Sequence, residues 1–172
     1  MKREYPESPL VGVGAVIVSR NHGVPQHGSR QHGSHPPDET RVLLIRRGTA
    51  PLLGEWSLPG GVLECGETLR EAVAREAFEE TGLVVEPTEM LGVYERVIRG
   101  DDKGDDKDDK NDKRVRYHYV LIDFLCHPVG GDLKAGSDAA DVRWFRRQEL
   151  PALKLAYDAN DVVLKGLERT QI

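Results

Sequence analysis

Three glutamates, Glu76, Glu79 and Glu80, fall in the run R-E-A-F-E-E, where one helix face can gather their carboxylates beside Arg75. Taking about 100° per residue and Leu69 as zero, Val73 falls at about 40°, Glu76 at about −20° and Glu80 at about 20°. Two carboxylates therefore share the stripe that Leu69 and Val73 mark as inward-facing, and Glu79 lies about 60° to one side of Glu76. Neighbouring buried carboxylates repel each other and lose hydration, which costs roughly several kcal/mol per ion unless compensated. Proton uptake is one compensation; a hard divalent cation is the natural partner for clustered oxygens. An acidic helix face turned to water is the bland alternative, since charge runs usually point outward. The stripe phase, the P-G-G turn that precedes the helix and Arg75 favour the inward reading.

The elements that must hold this cluster can be read from the pattern. The spacing predicts a helix over residues 68–81, with Thr68 and Glu71 as a capping box and Gly82 as the C′ residue. Glu71–Arg75 and Arg75–Glu79 are both i,i+4 pairs, so Arg75 is expected between carboxylates. Strands are expected at 11–19, 41–47, 83–97, 114–127 and 142–145, and a closing helix at 158–169. Residues 48–54 read as a loop, and 56–63 contain the P-G-G turn. Strands on both sides of a central helix, followed by a terminal helix, predict an α/β/α sandwich around a mixed sheet, one domain over residues 1–172.

Two polar stretches interrupt this pattern, at about 21–40 and 100–113. The first contains His22, His27, His32 and His35, but its Gly- and Pro-rich setting offers no defined ligand geometry and reads as a loop. The second holds seven Asp and four Lys and reads as a solvated hairpin tip. A formal charge of −5 argues against a broad nucleic-acid-binding face, although metal ions can bring an anionic substrate to an acidic protein. There is no secretory h-region and no run long enough to span a bilayer. Cys65 and Cys126 show neither zinc nor disulfide spacing, so a cytoplasmic location is expected.

The run from 61 to 83, G-V-L-E-C-G-E-T-L-R-E-A-V-A-R-E-A-F-E-E-T-G-L, resembles the signature of the Nudix hydrolases at Gly61, Glu67, Arg75, Glu76, Ala77, Glu79, Glu80, Gly82 and Leu83. Ala77 is small for its apolar slot. The resemblance implies a pyrophosphohydrolase acting on phosphorus-containing anhydrides, with Mg2+ (or Mn2+) as cofactor. By position it makes Glu76 and Glu80 the main metal ligands, with Glu79 assisting and the Gly60 carbonyl completing the site. Arg75 would orient the carboxylates, and Glu67 would support the loop or bind a metal through water. Asp138 stands where relatives carry the general base, often a Glu, with Asp141 in reserve; a helix glutamate is the other option.

Outside the signature, Arg46 and Arg47 end a strand before P-L-L-G-E-W-S-L-P-G-G, where a guanidinium can bind two phosphate oxygens. A solvated strand end is the competing role. Trp56 has two roles open, stacking on a base or packing beneath the P-G-G turn, and packing is preferred. The stretch L-L-G-E-W-S-L-P-G-G-V-L-E looks like bacterial ADP-ribose pyrophosphatases, which implies hydrolysis of ADP-ribose to AMP and ribose 5-phosphate. Nucleoside triphosphates, nucleotide sugars and a non-catalytic nucleotide sensor are the alternatives, and a homodimer is a further expectation from the resemblance.

Overall fold

A computed structural model describes residues 4–20, 40–49, 52–99, 114–136, 138–156 and 159–170. Seven strands and two helices follow in the order β1 (Leu10–Ser19), β2 (Arg41–Arg47), β3 (Trp56–Ser57), β4 (Gly60–Val62), α1 (Leu69–Thr81), β5 (Leu83–Arg99), β6 (Val115–Gly131), β7 (Ala139–Arg146) and α2 (Asn160–Arg169), with a short 3₁₀ turn at Arg147–Ala152. The expected strands are all present. β5 and β6 run further than the apolar pattern suggested, because their ladder continues through register shifts at Val84/Val85, Pro87/Glu89, Met90/Gly92 and Ile98/Arg99. The closing helix starts at Asn160 rather than 158. Residues 21–39 and 100–113, which hold the His-rich and Asp/Lys-rich stretches, lie outside the described residues.

The sheet is mixed. Its order is β3-β2-β1-β6-β5, with β4 also pairing β1 and β7 also pairing β2. β1 and β6 are parallel over Leu10–Ile17, and the other pairings are antiparallel. β1 is buried on both faces, which explains its nearly continuous apolar run. Val13, Ala15 and Ile17 pack with Ala72, Val73 and Ala77 of α1. Val16 and Val18 pack with Val162, Val163 and Leu167 of α2. The period of two along one strand therefore separates a helix on each face of the sheet.

Thr68 caps α1 as the sequence predicts. Its side chain accepts from the Glu71 N–H, and the Glu71 carboxylate accepts from the Thr68 N–H at 2.8 Å. Gly82 ends the helix in the left-handed region (φ 71°), and its N–H donates to the Phe78 carbonyl. Only glycine adopts that conformation without a steric penalty.

Candidate active site

The buried stripe of α1 is Ala72, Val73, Ala77 and Thr81, with Leu69 half-buried beside it. Glu76 and Glu80 flank that stripe and are half-buried, whereas Glu79 is 56% exposed. Ala77 is small because it is fully buried against the sheet. The wheel thus orders the three carboxylates correctly.

What stands above them is the P-G-G turn. The Gly60 N–H donates to Glu80 Oε2 at 2.8 Å. A Cβ on Gly61 would collide with the Glu76 carboxylate, so glycine lets that side chain lie against the backbone. Burial is the chief cause that pushes the Glu80 carboxyl up to about 7; the Gly60 N–H and Arg47 oppose it, while Glu76 and Asp138 add to it. The second Glu80 oxygen has no partner among the described residues.

Arg75 is held between carboxylates, as expected, although one of its two predicted i,i+4 partners differs. It does not pair with Glu71, because that carboxylate is used in the Thr68 cap. Its guanidinium instead donates to Glu67 at 2.6 and 3.0 Å, to Glu76 at 2.8 Å, to Glu79 at 3.3 Å and to the Val62 carbonyl at 3.3 Å. Glu67 also accepts from the Glu64 N–H, and these bonds, led by the one from Arg75, hold its carboxyl down at about 2. Arg75 therefore ties the loop after β4 to Glu76 and fixes where that carboxylate stands.

Among the described residues, no three His, Cys, Asp or Glu side chains are already converged as a metal cage. The donor set nonetheless fits a hard divalent cation. It offers only oxygen donors, the carboxylates of the half-buried Glu76 and Glu80 and of the exposed Glu79, beside the Gly60–Gly61 backbone that the first two side chains approach closely.

The turn also borders a cavity of about 680 Å³ on the α2 side of the sheet, lined by Arg47, Gly60, Gly61, Tyr94, Arg96 and Asp123 among others. The two strand-end arginines are not equivalent. β2 and β7 change register between Arg46 and Arg47, and such an irregularity re-aims the next side chain. Arg47 lines the cavity, whereas Arg46 is exposed and donates to the Gly54 carbonyl at 3.2 Å. Trp56 packs edge-on against Phe145, with ring centroids 4.7 Å apart, and does not line the cavity. That places it with the core, as the packing reading expects.

A family model for the NUDIX domain matches residues 36–166. The chain belongs to the Nudix family. An ADP-ribose pyrophosphatase of Methanocaldococcus jannaschii is 39% identical over 125 residues, which is 73% of this chain and 64% of that enzyme. The 8-oxo-dGDP phosphatase NUDT18 of Mus musculus is 32% identical over 138 residues, 78% of this chain and 37% of that protein. The Nudix chain thus spans less than two thirds of either relative. Among solved structures, the NUDIX domain of Shewanella oneidensis NrtR complexed with ADP ribose superposes with a TM-score of 0.67 at 22% identity, covering 95% of this chain and 90% of that one. At that identity the likeness concerns the fold, a mixed sheet with flanking helices.

The loop after β6 meets the C-terminal end of the Nudix helix. The Lys134 N–H donates to the Thr81 carbonyl at 2.9 Å and the Gly136 N–H to the Glu80 carbonyl at 3.0 Å. Asp138 follows, exposed, with its carbonyl accepting from the Gly48 N–H at 3.0 Å and its charge felt by Glu80. Asp141 lies three residues further on, within β7, and accepts from its neighbour's Val142 N–H at 2.8 Å. Sequence reading missed Asp123, Arg96 and Tyr94 because each sits in an ordinary strand alternation. Asp123 alone left a trace, a single acid inside the apolar run V-L-I-D-F-L-C.

Proposed function

We propose that this chain is a pyrophosphohydrolase that cleaves the diphosphate linkage of a nucleoside diphosphate derivative, ADP-ribose first among them, to AMP and ribose 5-phosphate. One observation carries the reading: Glu76 and Glu80 meet the Gly60–Gly61 backbone that also lines the substrate-sized cavity. The M. jannaschii relative, named an ADP-ribose pyrophosphatase, supports the choice of substrate. The relative named an 8-oxo-dGDP phosphatase keeps a damaged nucleoside diphosphate as the second reading. A nucleotide sensor is disfavoured, because every glutamate of the motif is present.

Mg2+ is the cation that suits this donor set, with Glu76, Glu80, Glu79 and the Gly60 carbonyl to hold it. When bound, it neutralises diphosphate oxygens and acidifies the attacking water. Arg75 holds Glu76 in place through a 2.8 Å bond. Arg47 faces the cavity and supplies a fixed positive charge for the phosphates. Asp138 accepts the proton of the attacking water as oxygen bonds to one phosphorus and the bond to the other phosphate breaks. Asp141 is the weaker choice for that task, since its carboxylate already holds its own strand's backbone.

No helix among the described residues is long and apolar enough to cross a membrane. A cytoplasmic location and a homodimer belong to the same reading; light scattering tests the second. The function itself is tested by following product release from ADP-ribose, 8-oxo-dGDP, nucleotide sugars and nucleoside triphosphates with Mg2+, for wild type and Glu80→Gln. The expected result is turnover of ADP-ribose by wild type and a fall in kcat of about 10²-fold or more in the variant. Wild-type rates in Glu80→Gln would reject the carboxylate site.

A further inference from the structure

Asp123 is 7% exposed, lines the cavity, and has neither a hydrogen bond nor an ion pair among the described residues. Buried carboxylates without partners are costly, and one that persists in a cavity calls for a ligand that completes it. Its surroundings are built to leave it open. Across the sheet it lies opposite Gly14 on β1 and Gly92 on β5, two residues without side chains. A Cβ on Gly14 would run into Asp123 Oδ1. On the other side the Tyr94 hydroxyl folds back over Gly92, which sets an aromatic ring beside the carboxylate. Leu58, Leu121 and Val162 continue the apolar lining. Arg96 lines the same cavity and acts on Asp123 only through space.

The position relative to the glutamate helix is set by register. Gly60, Gly14 and Asp123 are in line across β4, β1 and β6. At a strand spacing of about 4.8 Å, the Gly60 and Asp123 backbones are about 10 Å apart. That span lets a nucleotide whose phosphates lie at the Gly60 turn reach Asp123 with its base. A flat ring suits the aromatic and apolar walls, and an acceptor-only carboxylate at one edge demands an N–H donor.

We propose that Asp123 is a specificity-determining residue that accepts a hydrogen bond from an exocyclic amino group of the substrate's nucleobase. This rests on the reading of the cavity as the nucleotide site. A base that presents a carbonyl oxygen at that edge is rejected, because two acceptors would face each other with no proton between them.

The test compares adenosine diphosphate ribose with inosine diphosphate ribose, which has a carbonyl oxygen where adenine has its amino group. It uses the full chain, wild type and Asp123→Asn, with calorimetric titration of AMP and IMP in the absence of divalent metal alongside. Wild type is expected to favour the adenine compound by at least about tenfold in kcat/KM. In Asp123→Asn, whose side-chain amide both donates and accepts, that ratio collapses toward one, through KM rather than kcat. AMP binding weakens by a similar factor while IMP binding does not. A base preference unchanged by the substitution, or an equal loss for both bases, overturns the proposal while leaving the hydrolase reading intact. A wild type that binds AMP in preference to IMP through Asp123 yet hydrolyses neither diphosphate upholds the proposal and removes ADP-ribose as substrate. Asp123→Ser, which is smaller and uncharged, guards against misfolding of the first variant and is expected to lose the same preference.

Discussion

At the scale of single residues, the molecule keeps two carboxyl groups in states that folding alone does not favour. Burial raises Asp123 from 3.8 to about 6, and burial likewise raises Glu80 from 4.5 to about 7. A carboxyl whose folded pKa lies above its unfolded one binds protons more tightly in the native state. Stability then falls as pH rises through the interval between the two values, and the loss is complete above the folded pKa. For Asp123 that interval runs from about pH 4 to about pH 6, and two pK units correspond to about 3 kcal/mol. Urea unfolding of wild type and Asp123→Asn between pH 4 and pH 8 isolates this group, because the Glu80 contribution cancels in the difference. The variant is expected to match wild type near pH 4 and to be more stable by about 1–3 kcal/mol at pH 8. A constant difference across the range would mean that Asp123 is not desolvated as described. Destabilised groups of this kind concentrate where a ligand completes them.

The elements show how much of this was legible in the sequence and where legibility ended. The capping box and the Gly82 terminus are local signals, and helical periodicity brings Glu76 and Glu80 to the edge of the buried stripe. Arg75 is held between carboxylates and pairs with Glu79 as the i,i+4 spacing predicts, but that spacing cannot see that Glu71 is already engaged by Thr68, nor that the loop brings Glu67 within 2.6 Å. Asp123 was overlooked because strand alternation gives a face but not which face borders a cavity. Gly136 belongs to the same category. A Cβ there would collide with the Glu79 carbonyl, so this glycine lets the Asp138 loop dock on the end of α1. Gly136→Ala is expected to push that loop outward and move Asp138 away from the reacting phosphate. Misplacement on the scale of about 1 Å costs on the order of 10² in rate. Steady-state kinetics are therefore expected to show a fall in kcat with circular dichroism unchanged, and unaltered kcat would remove Asp138 from the mechanism. Thr68→Ala makes the contrast: it loses a helix cap, should cost about 1 kcal/mol of stability in thermal unfolding, and leaves the loop docking in place.

For the whole molecule, the site exists only once distant parts of the chain have come together. Glu76 and Glu80 come from α1, the Gly60 backbone from a short strand held by β1, and Arg47 from the end of β2. Unfolding scatters these groups, so a cation that they bind together binds the native state and not the unfolded chain. Such a ligand stabilises by RT ln(1 + [L]/Kd), about 2.7 kcal/mol at a hundredfold excess over Kd. For a domain of this size that corresponds to a rise in Tm of about 5–10 °C. A cation held at this site would also offset the repulsion that Glu80 feels from Glu76 and Asp138. Differential scanning calorimetry with increasing Mg2+ is expected to show this rise in wild type. It should disappear in Glu76→Gln and Glu80→Gln; Glu80→Gln should itself be more stable than metal-free wild type at pH 8, having lost a crowded charge, whereas Glu76→Gln gives up its 2.8 Å ion pair with Arg75. Glu86→Gln, an exposed position on β5 away from the turn, should keep the full shift. An equal shift in all four proteins would show that Mg2+ acts on the general surface charge, and that the glutamate helix does not gather its carboxylates around a cation.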